Sequence, residues 1–374
     1  MNNVIYLDNA ATTKPLNSAV KRAEQYLFAD FYNPSAKYHG GITAKNAIKN
    51  ARSLIEKQFG INYEVIFTSC GSESDNTAIF SYLKRGNAVT TLGEHSAVYE
   101  PFTHFKNNGY DARFASLNED GSVNVENLLS LVDNNTVFVS VVHVNNETGA
   151  INDINDIAKR VKAKNPRVIF HSDGVQAFLK VPFKPNGLID LYSISAHKVG
   201  GFKGVGALIK HKNVKNLKPL ILGGGQENAL RSGTENVYGI KTFEYAVEER
   251  QCVLKNYENA LELKNAFLNN INLSIFKVIS SNNSSPYVIS ISALGLRGEV
   301  LQHMLEENGV IVGTGSACSS KHPHSRILTA IGYDKKVLDG VLRISFSPET
   351  TMQEVLTAVQ LINEKALQLK KAIL

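Results

Sequence analysis

From Ile42 to Ile209 the chain alternates segments of helical period with short runs of apolar or β-branched residues. No other feature constrains the fold as tightly. Ile42–Phe59 gathers Ile42, Ala44, Ala47, Ile48, Ala51, Leu54 and Ile55 on one broad face, and Gly60 closes it. Glu64–Ser69 (EVIFTS) then reads as a buried strand, and Ser72–Leu83, with Ser, Glu and Asp near its start, as a helix. Further strands are predicted at Ala88–Leu92, Thr136–Val144, Arg167–His171, Leu188–Ser193 and Val205–Ile209. Runs that are apolar on both faces and separated by helices predict a mostly parallel sheet covered on both sides. The last two runs lie too close together for a crossover helix, so they are expected to pair antiparallel and to make the sheet mixed.

Thr234 to about Asn270 reads as one long helix or two, and Ser280–Ser285 (SSNNSS) as a polar loop. A smaller pattern follows: strand Tyr287–Ser292, helix Arg297–Asn308, strands Val310–Val312 and Val341–Ser347, and a final helix from near Glu349. A chain of 374 residues exceeds one simple core. The expected division is a large domain over 15–250 and a smaller α/β domain made of 1–14 and 251–374.

The net charge of +6 is spread along the chain without a run of five or six Lys/Arg, so no nucleic-acid partner is expected. Cys70, Cys252 and Cys318 are the three cysteines and none has CxxC spacing. Neither a disulfide framework nor a metal site is expected, and a reducing compartment fits. The opening MNNVIYLDNAATTKP lacks the basic-then-apolar pattern of a signal peptide. No window approaches a membrane span. The expected location is the cytoplasm.

Five short constellations carry chemistry. In SISAHKVGGFKGVG (193–206), Lys198 follows a strand end, where open α/β folds bind ligands. Its amine can form a Schiff base with an aldehyde cofactor, and Ser195 and His197 can bond a phosphate; the plain alternative is a surface turn. In TSCGSESDN (68–76) a strand runs into a small-residue turn and a helix N-terminus, an anion-binding geometry without Walker spacing, or simply a capped helix. In HSDGVQ (171–176) Asp173 ends a strand, where it can pair with a protonated pyridine nitrogen or cap a helix. In GTGSACSSK (313–321) Cys318 lies among small polar residues and is the best thiol candidate. Cys252 lies within the helical stretch, and Cys70 in the phosphate-type turn. In VLRISFS (341–347) Arg343 interrupts an apolar strand, as a carboxylate receptor or a structural ion pair.

The order of these signals says more than any one of them. LDNAATT (7–13), YNPSAKYH (32–39), FTSCGSESDN (67–76), GEHSAV (93–98), HVNNETG (143–149), HSDGVQ, SAHKVGGFKGVG, GGGQENALRSGTEN (223–236), GTGSACSS and LRISFS together resemble the cysteine desulfurases, class V aminotransferases of the fold-type I pyridoxal-phosphate (PLP) enzymes. The resemblance implies a fold-type I transferase with a seven-stranded-type mixed sheet, and PLP as cofactor. It implies that Lys198 carries the cofactor, that Gly71, Ser72, Ser195 and His197 bind its phosphate, and that Thr234 reaches the phosphate of a partner subunit in a homodimer. His95 would stack on the ring, Asp173 would meet the ring nitrogen, and Gln176 and Asn146 would contact the phenolic-oxygen side and the substrate region. Arg343, with Asn33 nearby, would bind the carboxylate of L-cysteine. Lys198 would move the Cα proton, His95 would help deprotonate Cys318, and Cys318 would take the sulfur as a persulfide, leaving alanine.

Two departures stand out. Family members often have Gly-Ala-Thr where this chain has Cys70-Gly71-Ser72. The segment after Cys318, SSKHPHSRIL, is shorter than in the long-loop members. An iron–sulfur scaffold and a tRNA-thiolation enzyme therefore both stay open as sulfur acceptors. Selenocysteine lyase and other class V enzymes are the rival activities. A non-catalytic relative is disfavoured by the intact set Lys198, Asp173, His95, Arg343 and Cys318.

Overall fold

The computed structural model describes residues 4–314 and 324–373. Its strands are β1 (Ile5–Leu7), β2 (Tyr63–Thr68), β3 (Asn87–Thr91), β4 (Asp111–Ala115), β5 (Thr136–Ser140), β6 (Ile169–Asp173), β7 (Leu191–Ser195), β8 (Gly206–His211), β9 (Phe276–Val278), β10 (Val288–Ala293), β11 (Val310–Val312) and β12 (Val341–Ser345). Seven of them form one sheet in the order β2-β8-β7-β6-β5-β3-β4. All its neighbours are parallel except β8, which runs antiparallel to both β2 and β7. The mixed, mostly parallel sheet expected from the sequence is thus present, with Leu191 opposite Lys210 and Ser195 opposite Gly206.

Alternate residues of one strand feed opposite cores. Val65 and Phe67 of β2, Val139 of β5 and Ile194 of β7 enter one cluster. Ile66, Phe138 and Leu191 enter the cluster across the sheet. A strand with period-two geometry and helices on both faces must be apolar at every position. A third cluster joins Leu7, Phe267, Ile289, Leu342 and Ile362 around β12-β10-β9 and the β1-β11 pair.

Several boundaries differ from the sequence reading. The Thr136–Val144 run is a strand only to Ser140. Its tail stays apolar because Val141, Val142 and Val144 are buried in the loop above the sheet edge. Thr234–Asn270 is two helices, Val237–Glu249 and Val253–Asn270. Arg250 sits in the break, largely buried, and donates from Nη2 to Glu349 at 2.9 Å. Cys252 therefore lies in the break, exposed, and not within a helix. The SSNNSS loop is organised by the buried Lys264, whose ammonium donates to the Ser281 and Ser284 carbonyls and to Ser284 Oγ at 3.1, 3.0 and 2.9 Å.

A buried ion pair fixes the segment before Thr234. Glu227 accepts both Arg52 Nη1 and Nη2, at 2.8 and 2.6 Å, and the Phe67 N–H at 2.8 Å. It does so from a left-handed backbone, φ +48°, shared by Asn228 and Ala229. Removing one partner strands a buried charge. Arg52→Ala is expected to lower stability by about 3 kcal/mol in urea unfolding; a loss under about 1 kcal/mol would show the pair to be a surface contact in energetic terms.

Candidate active site

The C-terminal edge of the parallel strands opens into a cavity of about 250 Å³. Each wall comes from a loop that leaves the sheet there. After β2 the chain turns through Ser69 and Cys70 into the helix Gly71–Tyr82, bringing Gly71 and Ser72 to the cavity with the helix N-terminus behind them. A Cβ on Gly71 would lie 2.7 Å from Val175 Cγ2, so only glycine lets these two segments meet.

His95 caps the helix Ser96–Asn107, its Nδ1 accepting the Ala97 N–H at 3.1 Å. Burial, then the positive charges of Lys198, Arg326 and Arg343, pull its imidazole down to about 4. It is neutral near pH 7, with Nε2 as the protonated nitrogen given that Nδ1 accepts. Asp173 ends β6 and accepts the Val175 N–H at 2.9 Å. Burial, with Asp75 adding to it, pushes its carboxyl up to about 7. Ser195 ends β7, buried, with no partner for its Oγ among the described residues.

The turn Ala196–Lys198 follows β7 directly. His197 Nδ1 and Thr12 Oγ1 are 3.1 Å apart. Lys198 Nζ donates to the carbonyls of Ala10 and Ala11 at 2.6 and 2.8 Å. The N-terminal LDNAATT segment is thus the floor against which the lysine rests. Gln176 also reaches it, its Nε2 donating to Ala10 O at 2.8 Å.

Arg343 and Asn146 meet at one side. Arg343 is 3% exposed on β12; its Nη1 donates to Asn146 O at 3.1 Å and its Nη2 to Asp8 Oδ1 at 2.8 Å. Its Nε and Asn146 Oδ1 are buried and without partners among the described residues. The sequence reading set a carboxylate receptor against a structural ion pair for Arg343. The ion pair is present, and one guanidinium donor is left over.

The cavity wall therefore unites Gly71, Ser72, His95, Asn146, Asp173, Gln176, Ser195, His197 and Lys198. Arg343 is not part of the wall and adjoins it through Asn146, and two further expected residues lie elsewhere. Thr234 is exposed and lines a separate cleft with Glu227 and Arg231. Asn33 is exposed in the loop before the helix His39–Phe59, its Oδ1 accepting the Ser35 N–H at 2.9 Å. Cys318 lies outside the described residues. Cys70 lines the cavity.

Four residues here were not singled out from the sequence. Asp8 holds Arg343. Lys180 bonds Gln176. Asp75 lines the cavity and Glu94 lies behind it, both buried, and burial pushes their carboxyls up to about 7 and 8. Glu94 Oε1 accepts Thr91 Oγ1 and the Val142 N–H, while Oε2 has no partner among the described residues. Glu94 in GEHSAV, Asp75 in FTSCGSESDN and Asp8 in LDNAATT all sit inside quoted motifs, so motif membership is a signal for them; nothing in the pattern marks Lys180.

The profile of the class-V aminotransferases matches residues 5–357. Cysteine desulfurase IscS of Dictyoglomus turgidum is 37% identical over 371 residues, 95% of this chain and 92% of that protein. Cysteine desulfurase IscS of Clostridium botulinum is 34% identical, over 95% of this chain and 92% of its own length. The chain belongs to the cysteine desulfurase family. Among solved structures, a NifS-like protein superposes with a TM-score of 0.89 at 32% identity, covering 96% of this chain and 98% of that one. SspA in complex with cysteine does so with 0.80 at 29%, covering 92% and 99%.

A carboxyl held protonated by burial stabilises the fold at low pH and loses that contribution as the pH rises toward its raised value. Unfolded Glu94 ionises near pH 4.3, folded Glu94 near 8. Between about pH 5 and pH 8 the melting temperature of Glu94→Gln, relative to the unsubstituted protein, is expected to rise steadily. A constant difference would mean that Glu94 is ionised in the fold.

Proposed function

We propose that this protein is a PLP-dependent cysteine desulfurase that converts L-cysteine to L-alanine and leaves the sulfur on Cys318 as a persulfide. The observation that carries this reading is the convergence, in one cavity, of Lys198 with a buried carboxyl, Asp173, and a phosphate-type cradle. That cradle is the Ser195 Oγ, without a partner among the described residues, the helix N-terminus at Gly71 and the close approach of Gly71 to Val175. These residues fit PLP. Gly71, Ser72, Ser195 and His197 would hold its phosphate by backbone N–H and side-chain donors. Asp173 would face its ring nitrogen, a cationic partner that offsets the cost of burying the carboxyl. His95, neutral and buried, would lie against its ring. Bound there, PLP supplies an electron sink that lets an amino acid lose its Cα proton.

The remaining work falls to the chain itself. Arg343 offers its spare Nε donor to the substrate carboxylate, and Asn146 lies next to it. Asn33 is assigned to the same region. Lys198, resting on Ala10 O and Ala11 O, would be the residue that moves the Cα proton. Cys318 attacks as thiolate: its sulfur bonds the substrate sulfur, the substrate C–S bond breaks, and the carbon takes up a proton to leave alanine. His95, kept neutral by its surroundings, accepts the thiol proton. A thiol or an acceptor protein then collects the sulfur.

Thr234, exposed and away from this cavity, can serve a cofactor site only in a second copy, so a homodimer is part of the proposal. The SspA–cysteine complex supports cysteine as substrate by relationship. None of the helices among the described residues is long and apolar enough to cross a membrane. The sparse cysteines support a reducing, cytoplasmic setting. An iron–sulfur scaffold and a tRNA-thiolation enzyme both fit as acceptor classes.

Lys198→Ala is expected to abolish both the visible cofactor band and alanine formation. Cys318→Ser is expected to keep the band and lose sulfide release. Full activity of Cys318→Ser with L-cysteine would overturn the persulfide step, and a protein with no visible band after PLP addition would overturn the whole reading.

A further inference from the structure

Lys180 lies outside the set assigned above and one hydrogen bond away from it. It is 6% exposed, in the turn after β6. Leu179, just before it, has φ +56°, a left-handed backbone that leucine seldom adopts. The side chain points inward to a site with no carboxylate partner for it among the described residues; its recorded contact is a donation from Nζ to Gln176 Oε1 at 3.1 Å. Gln176 Nε2 donates in turn to Ala10 O, which also accepts Lys198 Nζ at 2.6 Å. Lys180, Gln176 and Lys198 are thus joined through one carbonyl. Burial, then the charges of Lys198, Arg250 and Arg343, hold the Lys180 amine well below the usual lysine range. Protonated or neutral, the amine donates.

A carboxamide can sit in two orientations that differ by exchange of O and N. The reverse orientation would set Gln176 Oε1 against Ala10 O, acceptor to acceptor. Ala10 O only accepts, so it draws the carboxamide nitrogen toward itself, and the donation from Lys180 to Oε1 reinforces that orientation from the other end. One Nε2 hydrogen then serves Ala10 O and the second is left for the cavity that Gln176 lines.

We propose that Lys180 is a positioning residue for the reaction: through Gln176 Oε1 it keeps the carboxamide nitrogen toward Ala10 and the cavity, so that Gln176 donates to the bound group while Lys198 keeps its seat on the Ala10 carbonyl. The inference rests on the function proposed above. A donor aimed at a bound oxygen draws off negative charge and eases loss of protons nearby. Losing that donor moves proton loss to higher pH.

The test is Lys180→Met, alone and combined with Gln176→Ala, in the PLP-loaded protein. For Lys180→Met the midpoint pH of the visible-band titration is expected to rise by about half a unit or more, with kcat down about tenfold and KM for L-cysteine within about twofold. In the Gln176→Ala background the same substitution is expected to change kcat by less than about twofold, because the two act as one unit. An unchanged midpoint and kcat in Lys180→Met, or effects that multiply in the double variant, would overturn the inference while a coloured, active unsubstituted protein upholds the function.

Discussion

The parallel register of β5, β6 and β7 is the constraint on which the rest depends. His171 lies opposite Ser140 on one side and Leu191 on the other, and Asp173 lies opposite Ser193. Strands so aligned end together, and their loops open on one edge. Asn146, Asp173, Ser195 and Lys198 reach a common cavity because each ends one of these strands or follows its end by a few residues. A slip of one residue in β6 would turn Asp173 to the opposite face. The ladder is locked inside as well. His171 Nδ1 lies 2.8 Å from Ser140 Oγ and its Nε2 lies 3.0 Å from Ser193 Oγ, so three neighbouring strands share one buried polar contact line.

Electrostatics divide the site in two. Asp75 and Asp173 in the wall and Glu94 behind it are buried, and burial favours their neutral forms. On the other side Lys198, Lys180 and His197 crowd, and His197 is pulled down to about 4 by burial and then by Lys198, Lys180 and Lys203. A cationic ring nitrogen suits the first side and an anionic phosphate the second.

The parts of this arrangement that were legible in the sequence are those built from local pattern. β2, β7 and β8 announced themselves because each carries a run of apolar or small residues buried on both faces, Val65–Phe67, Leu191–Ile194 and Ala207–Ile209. β4 did not: DARFA is an edge strand with Asp111 exposed and Arg113 paired to Asp111 and Asp133, so its charges mask the strand. Of the expected site residues, nine from Gly71 to Lys198 line one cavity, Arg343 adjoins it through Asn146, Thr234 and Asn33 lie away from it in one copy of the chain, and Cys318 falls outside the described residues. What could not be read were contacts between distant segments. Asp8 and Arg343 are joined across nearly the whole chain. Lys180 reads as an ordinary surface lysine until the left-handed Leu179 is seen to precede it.

The central claim is that sulfur leaves L-cysteine for Cys318. Its most direct measurement is peptide mass spectrometry of the PLP-loaded protein after brief exposure to sulfur-labelled L-cysteine without reductant. The account predicts one labelled sulfur atom added to the peptide that contains Cys318, with alanine formed in equal amount. Label on the peptides of Cys70 or Cys252 instead, or alanine formed with no labelled peptide, would contradict it.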